Sequence, residues 1–156
     1  MKAGAMVAVC ALALTGCAGE DAEYTQFCET SRTLTDMTDQ IDTLVPDPEA
    51  LTDARDGDFT ALNTWGEEAQ VSVANVGSEF QAARDAAPDE DLSAALDTYL
   101  AMLDLFQQTA IAGASAVDAV AFTVKLEDLE TQAADLSEDL TTAGAVLSTT
   151  QQNHCE

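Results

Sequence analysis

Basic side chains are nearly missing from this chain. Its 156 residues hold five Lys and Arg against 29 Asp and Glu, for a formal net charge of −24. Nucleic-acid and anionic-lipid binding both need Lys and Arg to neutralise phosphate, so this balance argues against either partner. Aromatics are 5% of the residues, with a single Trp, so a core must be filled with smaller side chains. One His, His154, rules out the paired Glu-x-x-His motifs of di-iron bundles and the usual zinc sets. No segment reaches the roughly 20 consecutive apolar residues that span a bilayer. No stretch alternates apolar and polar residues with β-branched enrichment, so no strand is expected. High net charge is one signature of disorder, but 47% hydrophobic residues in regular stripes point to a folded chain.

What is present begins at the first residues. Lys2 precedes the apolar stretch Ala5 to Leu14, too short for a membrane span but suited to a signal-peptide core. The run Leu14-Thr15-Gly16-Cys17 resembles a bacterial lipoprotein signal, in which the cysteine thiol receives a diacylglyceryl group and becomes the first residue after cleavage. The alternative is an ordinary secretory signal cut elsewhere, for example after Ala18, which leaves no lipid. The resemblance implies a signal peptide over 1–16, a short tether over 17–23 and a helical domain over 24–156. It also implies export and anchoring to the outer face of the cell membrane through Cys17, since two acyl chains hold where one is marginal. The chain from Cys17 onward has 140 residues, one domain's worth, with four basic against 29 acidic side chains, or −25. On this reading Cys10 is discarded and Cys17 carries lipid. Cys28 and Cys155 remain, and in an exported protein they are expected to pair.

Apolar residues recur at alternating three- and four-residue steps, the spacing of one helix face. A first stripe holds Phe27, Leu34, Met37, Ile41 and Leu44, and ends at Val45-Pro46 because the residue before a proline is pushed out of helical geometry. Asp47 and Pro48 read as the N-cap and first position of a short helix to Arg55, which Asp56-Gly57-Asp58 closes. The second long stripe is Leu62, Trp65, Ala69, Val73, Val76, Phe80 and Ala83, closed by Ala86-Ala87-Pro88. Asp89, Glu90 and Asp91 crowd the start of the next helix, where its dipole favours negative charge. That helix carries Leu92, Leu96, Tyr99, Leu103, Phe106 and Ala110, with a turn at Gly113-Ala114-Ser115. The last stripe is Leu126, Leu129, Ala133, Leu136, Leu140, Ala143 and Leu147.

These patterns predict an all-α fold, an antiparallel up-down four-helix bundle. An even number of passes returns the C-terminus to the end where the N-terminus starts, which is where a Cys28–Cys155 bridge needs it. Gly66, Gly77 and Gly144 inside helices point to a thin core with close helix approach, one that leans on its disulfide.

The lipobox at Leu14 to Cys17, the Phe27-Cys28 pair, Ala87-Pro88-Asp89-Glu90 and the late Cys155 together resemble a loose group of small actinobacterial surface lipoproteins of unknown function. That resemblance implies no activity.

Candidate chemistry is sparse. His154 lies in a last helical turn and reads as a terminal residue beside a disulfide. Around Gly57 a calcium loop would need ligands at Thr52, Ala54 and Asn63; the pattern fails there, and cap and turn duties account for the aspartates. Trp65 reads first as a core residue and second as a ligand anchor beside the gap left by Gly66. Tyr24 and Tyr99 read the same way. The expectation is therefore a non-enzymatic binding module without metal or cofactor. Its partner would be an envelope protein or wall component. The alternative is a carrier or sensor of a small apolar or cationic ligand in an inter-helix groove.

Overall fold

The computed structural model describes residues 21–31 and 46–155, a helical bundle with no strand among the described residues. The signal segment 1–16, Cys17 and most of the tether lie outside them, as do Leu34, Met37, Ile41 and Leu44 of the first stripe. The turn Asp21–Tyr24 leads into a helix, α1, described over residues 25–31. Then follow α2 (Pro48–Arg55), α3 (Thr60–Asp85), α4 (Glu90–Ala114), α5 (Ala119–Asp135) and α6 (Ser137–His154).

Aspartates start four of these helices. The carboxylates of Asp47, Asp58, Asp89 and Asp118 accept backbone N–H bonds from Glu49 (2.7 Å), Thr60 (3.0 Å), Leu92 (2.7 Å) and Ala121 (2.8 Å). Each satisfies one of the donors a helix leaves unpaired at its first turn. Part of the chain's acidity is thus spent on helix starts. At Asp58 the Thr60 N–H holds the carboxyl below its ordinary range. The stabilisation it lends is complete above that range and fades as pH falls through its folded-state value. Between α2 and α3, Gly57 takes φ +96°, and its N–H and that of Asp58 donate to Ala54 and Asp53 carbonyls. This is a Schellman ending, which favours glycine.

The buried residues of α3 are Leu62, Gly66, Ala69, Val73, Val76, Phe80 and Ala83, a strict four-three seam. Gly66, and not Trp65, occupies the second position. A Cβ at Gly66 would overlap the Ala114 nitrogen and sit 2.6 Å from the Ala110 oxygen, so α3 and α4 touch backbone to backbone there. Sequence pattern picks the neighbouring indole because glycine carries no hydrophobic signal. Trp65 is half-buried beside the seam, and its ring lies over Gly113, where a Cβ would come within 2.5 Å of it. Helix α4 runs on through Gly113 and ends at Ala114, within the expected turn Gly113-Ala114-Ser115. Asn63 closes that end. Its amide nitrogen lies 2.8, 3.0 and 3.2 Å from the carbonyl oxygens of Gly113, Ala114 and Ala116, groups that a helix C-terminus leaves without intrahelical partners.

The last stripe is two helices. Leu136 ends α5 and begins α6, with its N–H turned to Ala133. No proline or glycine marks the break. The two helices serve different ends of the core: Phe122 and Leu126 pack with Ala54, Leu62 and Ala116, while Leu147 and Cys155 pack with Phe27, Cys28, Phe80, Leu92 and Leu96. Helix α4 touches α3, α5 and α6 and ties the two ends together. Leu92 and Ala114 on it are about 33 Å apart at 1.5 Å per residue.

The three mid-helix glycines are unequal. Gly144 faces the Tyr99 hydroxyl, with 3.3 Å to a would-be Cβ, whereas nothing lies within 4 Å of one at Gly77. Close helix approach therefore holds at Gly66 and Gly144 but not at Gly77. Gly77→Ala should accordingly stabilise the chain by about 0.5–1 kcal/mol through helix propensity alone. Gly66→Ala should destabilise it by about 1–3 kcal/mol through overpacking. Urea denaturation of both variants measures the contrast, and equal shifts of the same sign would contradict the seam.

Candidate functional site

The residues with the most chemistry meet at one end of the bundle. Cys28, near the end of the described part of α1, and Cys155, just past α6, form a disulfide of 2.00 Å with Cα atoms 5.3 Å apart, spanning 127 positions. The bridge forces its neighbours together. Tyr24, the last residue of the turn that leads into α1, lies four residues before Cys28, and His154 immediately precedes Cys155. Their rings stack with centroids 3.7 Å apart and 7° between planes, a contact worth about 0.5–1.5 kcal/mol beyond area burial.

Asp89 adds a third connection. One carboxylate oxygen caps α4 at the Leu92 N–H, and the other accepts the Tyr24 hydroxyl at 3.0 Å. A single side chain so links the entry of the chain to the start of the central helix. The hydrogen bond to Asp89, burial, and the charges of Asp89 and Glu23 all hold the Tyr24 hydroxyl above its ordinary value near 10. Deprotonation would remove the donor and place a phenolate beside a carboxylate.

Beside this clasp is an open groove of about 850 Å³, walled by Tyr24, His154 and the acids Asp89 to Asp91 on one side and by the Thr142 to Asn153 face of α6 on the other. Two of its three threonines donate back to their own helix, Thr142 to the Glu138 oxygen and Thr149 to the Ala145 oxygen. Its polar chemistry comes from the carboxylates of Glu90 and Asp91, from Thr150 and Asn153, and from the aromatic pair. Among the described residues, no group of three or more His, Cys, Asp or Glu side chains converges to hold a metal ion. No helix among them is long and apolar enough to cross a membrane.

Of the residues singled out from sequence, Cys28 and Cys155 meet here, and Cys17 lies outside the described residues. Trp65 belongs to the opposite end, packed with Leu62 and Ala116, and the space at Gly66 is filled by Ala110 and Ala114. The gap imagined for a ligand there is a helix contact. Sequence reasoning missed the Tyr24–His154 stack and the Tyr24–Asp89 bond. The signal for the first is present: once Cys28 and Cys155 are joined, Tyr24 and His154 must share that end. Nothing local points to the second, which spans 65 positions.

No protein-family model, curated protein or solved structure matches the chain.

The raised Tyr24 value fixes the sign of a pH effect. Its stabilisation is fully present below the ordinary tyrosine range and is lost as pH rises through the folded-state value. In a Tyr99→Phe variant, where Tyr24 is the remaining tyrosine, absorbance at the phenolate band should titrate above the ordinary value. Adding Asp89→Asn should bring the midpoint down towards it. A midpoint at or below the ordinary value with Asp89 intact would disprove the clasp.

Proposed function

We propose that the chain is an exported lipoprotein, held at Cys17 on the outer face of the cell membrane, whose bundle acts by binding and not by catalysis. The observation that carries this is the Cys28–Cys155 bridge. Disulfides persist in oxidising extracytoplasmic compartments and are rare in the cytosol. Together with Leu14-Thr15-Gly16-Cys17, it supports export. The bridge brings the helical ends to one pole, and only a few residues separate Cys17 from Tyr24, so that pole would face the membrane.

The architecture we assign is the antiparallel up-down four-helix bundle, with α5 and α6 as one interrupted pass. Contacts in opposite order support it: Asn63 with Gly113 and Arg84 with Asp97 on the α3–α4 pair, then Phe122 with Ala116 and Gly144 with Tyr99 on the return. The first pass would run from α1 towards α2 through residues outside the described set. An envelope protein or wall component is the partner class that fits an acidic, non-catalytic surface. A second reading, a carrier or sensor of a small cationic ligand, draws on the groove beside Tyr24, Glu90 and Asp91, and no longer on Trp65.

The test is direct. Protein expressed with its own leader and fed a clickable palmitate analogue should be labelled and membrane-associated, with an intact mass showing residues 17–156 plus acyl chains. Cys17→Ala should lose the label and the membrane association. An unmodified thiol at Cys17, or processing after Ala18, would overturn the proposal.

A further inference from the structure

Helix α5 is apolar on two opposite faces. Phe122, Leu126 and Leu129 point into the bundle, while Val120 and Val124 are 74% and 60% exposed on the other side. Val117, just before the helix, is 85% exposed. Single exposed apolar residues are unremarkable, but a contiguous strip marks a contact surface. Val120 and Val124 occur at i and i+4, one turn apart on the outer face of α5 and about 6 Å along its axis, and Val117 adds an exposed apolar side chain just ahead of the helix. Acids frame these valines: Asp118 at one end, and Glu127 and Asp128 on the next turn of the same face, with Lys125 tied to Asp128 at 3.5 Å.

We infer that this valine ridge docks a protein partner that presents an apolar helical face edged with Lys or Arg. Charge selects the occupant. A second copy would bring the same strongly acidic surface against Asp118, Glu127 and Asp128, and an anionic lipid surface is repelled for the same reason. Position points the same way. Val117 adjoins Ala116 in the cluster of Leu62 and Phe122, about 33 Å along α4 from the Leu92 cluster that holds the disulfide. If the Cys17 anchor of the proposed function holds, the ridge is presented away from the membrane, where an envelope protein can reach it. The assignment names the surface and the partner chemistry of that reading.

The probe is a synthetic amphipathic helix of about 18 residues, Leu on one face with Lys flanks, against a control with Glu in place of Lys. Binding is read by fluorescence anisotropy to the full chain isolated from an exporting host in mild detergent. The Lys peptide should bind and weaken as salt is raised, and the Glu peptide should not bind. Val120→Ser/Val124→Ser should weaken the Lys peptide roughly tenfold or more while shifting the melting temperature by no more than about 2 °C. Cys17→Ala should leave binding unchanged, which separates this surface from the anchor. Four results would overturn the inference. They are no binding, equal binding of both peptides, self-association that the serine variant abolishes, or a melting loss of several degrees showing that the chain itself covers the ridge.

Discussion

One covalent constraint organises this molecule. The Cys28–Cys155 bridge closes a loop of 127 positions and holds the entry and the exit of the chain together at one end of the bundle, against Phe27, Phe80, Leu92 and Leu96. The largest fully buried apolar side chains are Leu62, Leu92 and Leu96, and much of the remaining core is alanine. A loop of that length removes enough freedom from the unfolded chain to add about 5 kcal/mol in the loop-entropy account, comparable with the whole net stability of a small domain. Around the bridge, the Tyr24–His154 stack and the Tyr24–Asp89 bond fix the direction in which the chain enters and leaves. Cys28 Sγ lies 3.5 Å from the His154 oxygen. With no thiol proton left to donate, this is a packing contact, and it places the bridge against the last turn of α6.

The rest of the fold reconciles small side chains with strong self-repulsion. Where Gly66 meets Ala110 and Ala114, two backbones pack directly, so dispersion replaces side-chain volume. Where acids would repel, several find work: Asp47, Asp89 and Asp118 cap helices, Asp58 accepts the first N–H of α3, and Asp97 and Asp85 both engage Arg84. These ion pairs are solvent-exposed and contribute little each, but they place one of the chain's few cations between α3 and α4.

Legibility in the sequence followed the strength of the local signal. Asp47-Pro48 marks the start of α2, and Gly57 its end, because cap and positive-φ chemistry is specific to residue type. The stripes of α3 and α4 were readable from apolar spacing, and the disulfide followed from what the lipoprotein resemblance implies for the other two cysteines. The pattern misled where a contact uses the absence of a side chain. Trp65 took the place of Gly66 on the seam, and at Gly113 the pattern showed the turn but not that the indole of Trp65 lies over the glycine. It was silent where a bond joins distant residues, as with Asn63 at the end of α4 and Asp89 at Tyr24. The break at Leu136 has no breaker residue; tertiary packing of α5 and α6 on different clusters decides it.

Thermal unfolding of the oxidised chain beside the same chain after reduction and alkylation of Cys28 and Cys155 tests this account most directly. The dependence of the structure on its covalent closure predicts a drop in melting temperature of well over 10 °C, given about 5 kcal/mol in a domain of this size. Superimposable melts, or a drop of only a degree or two, would show that the helices hold that end together unaided and would contradict the central claim.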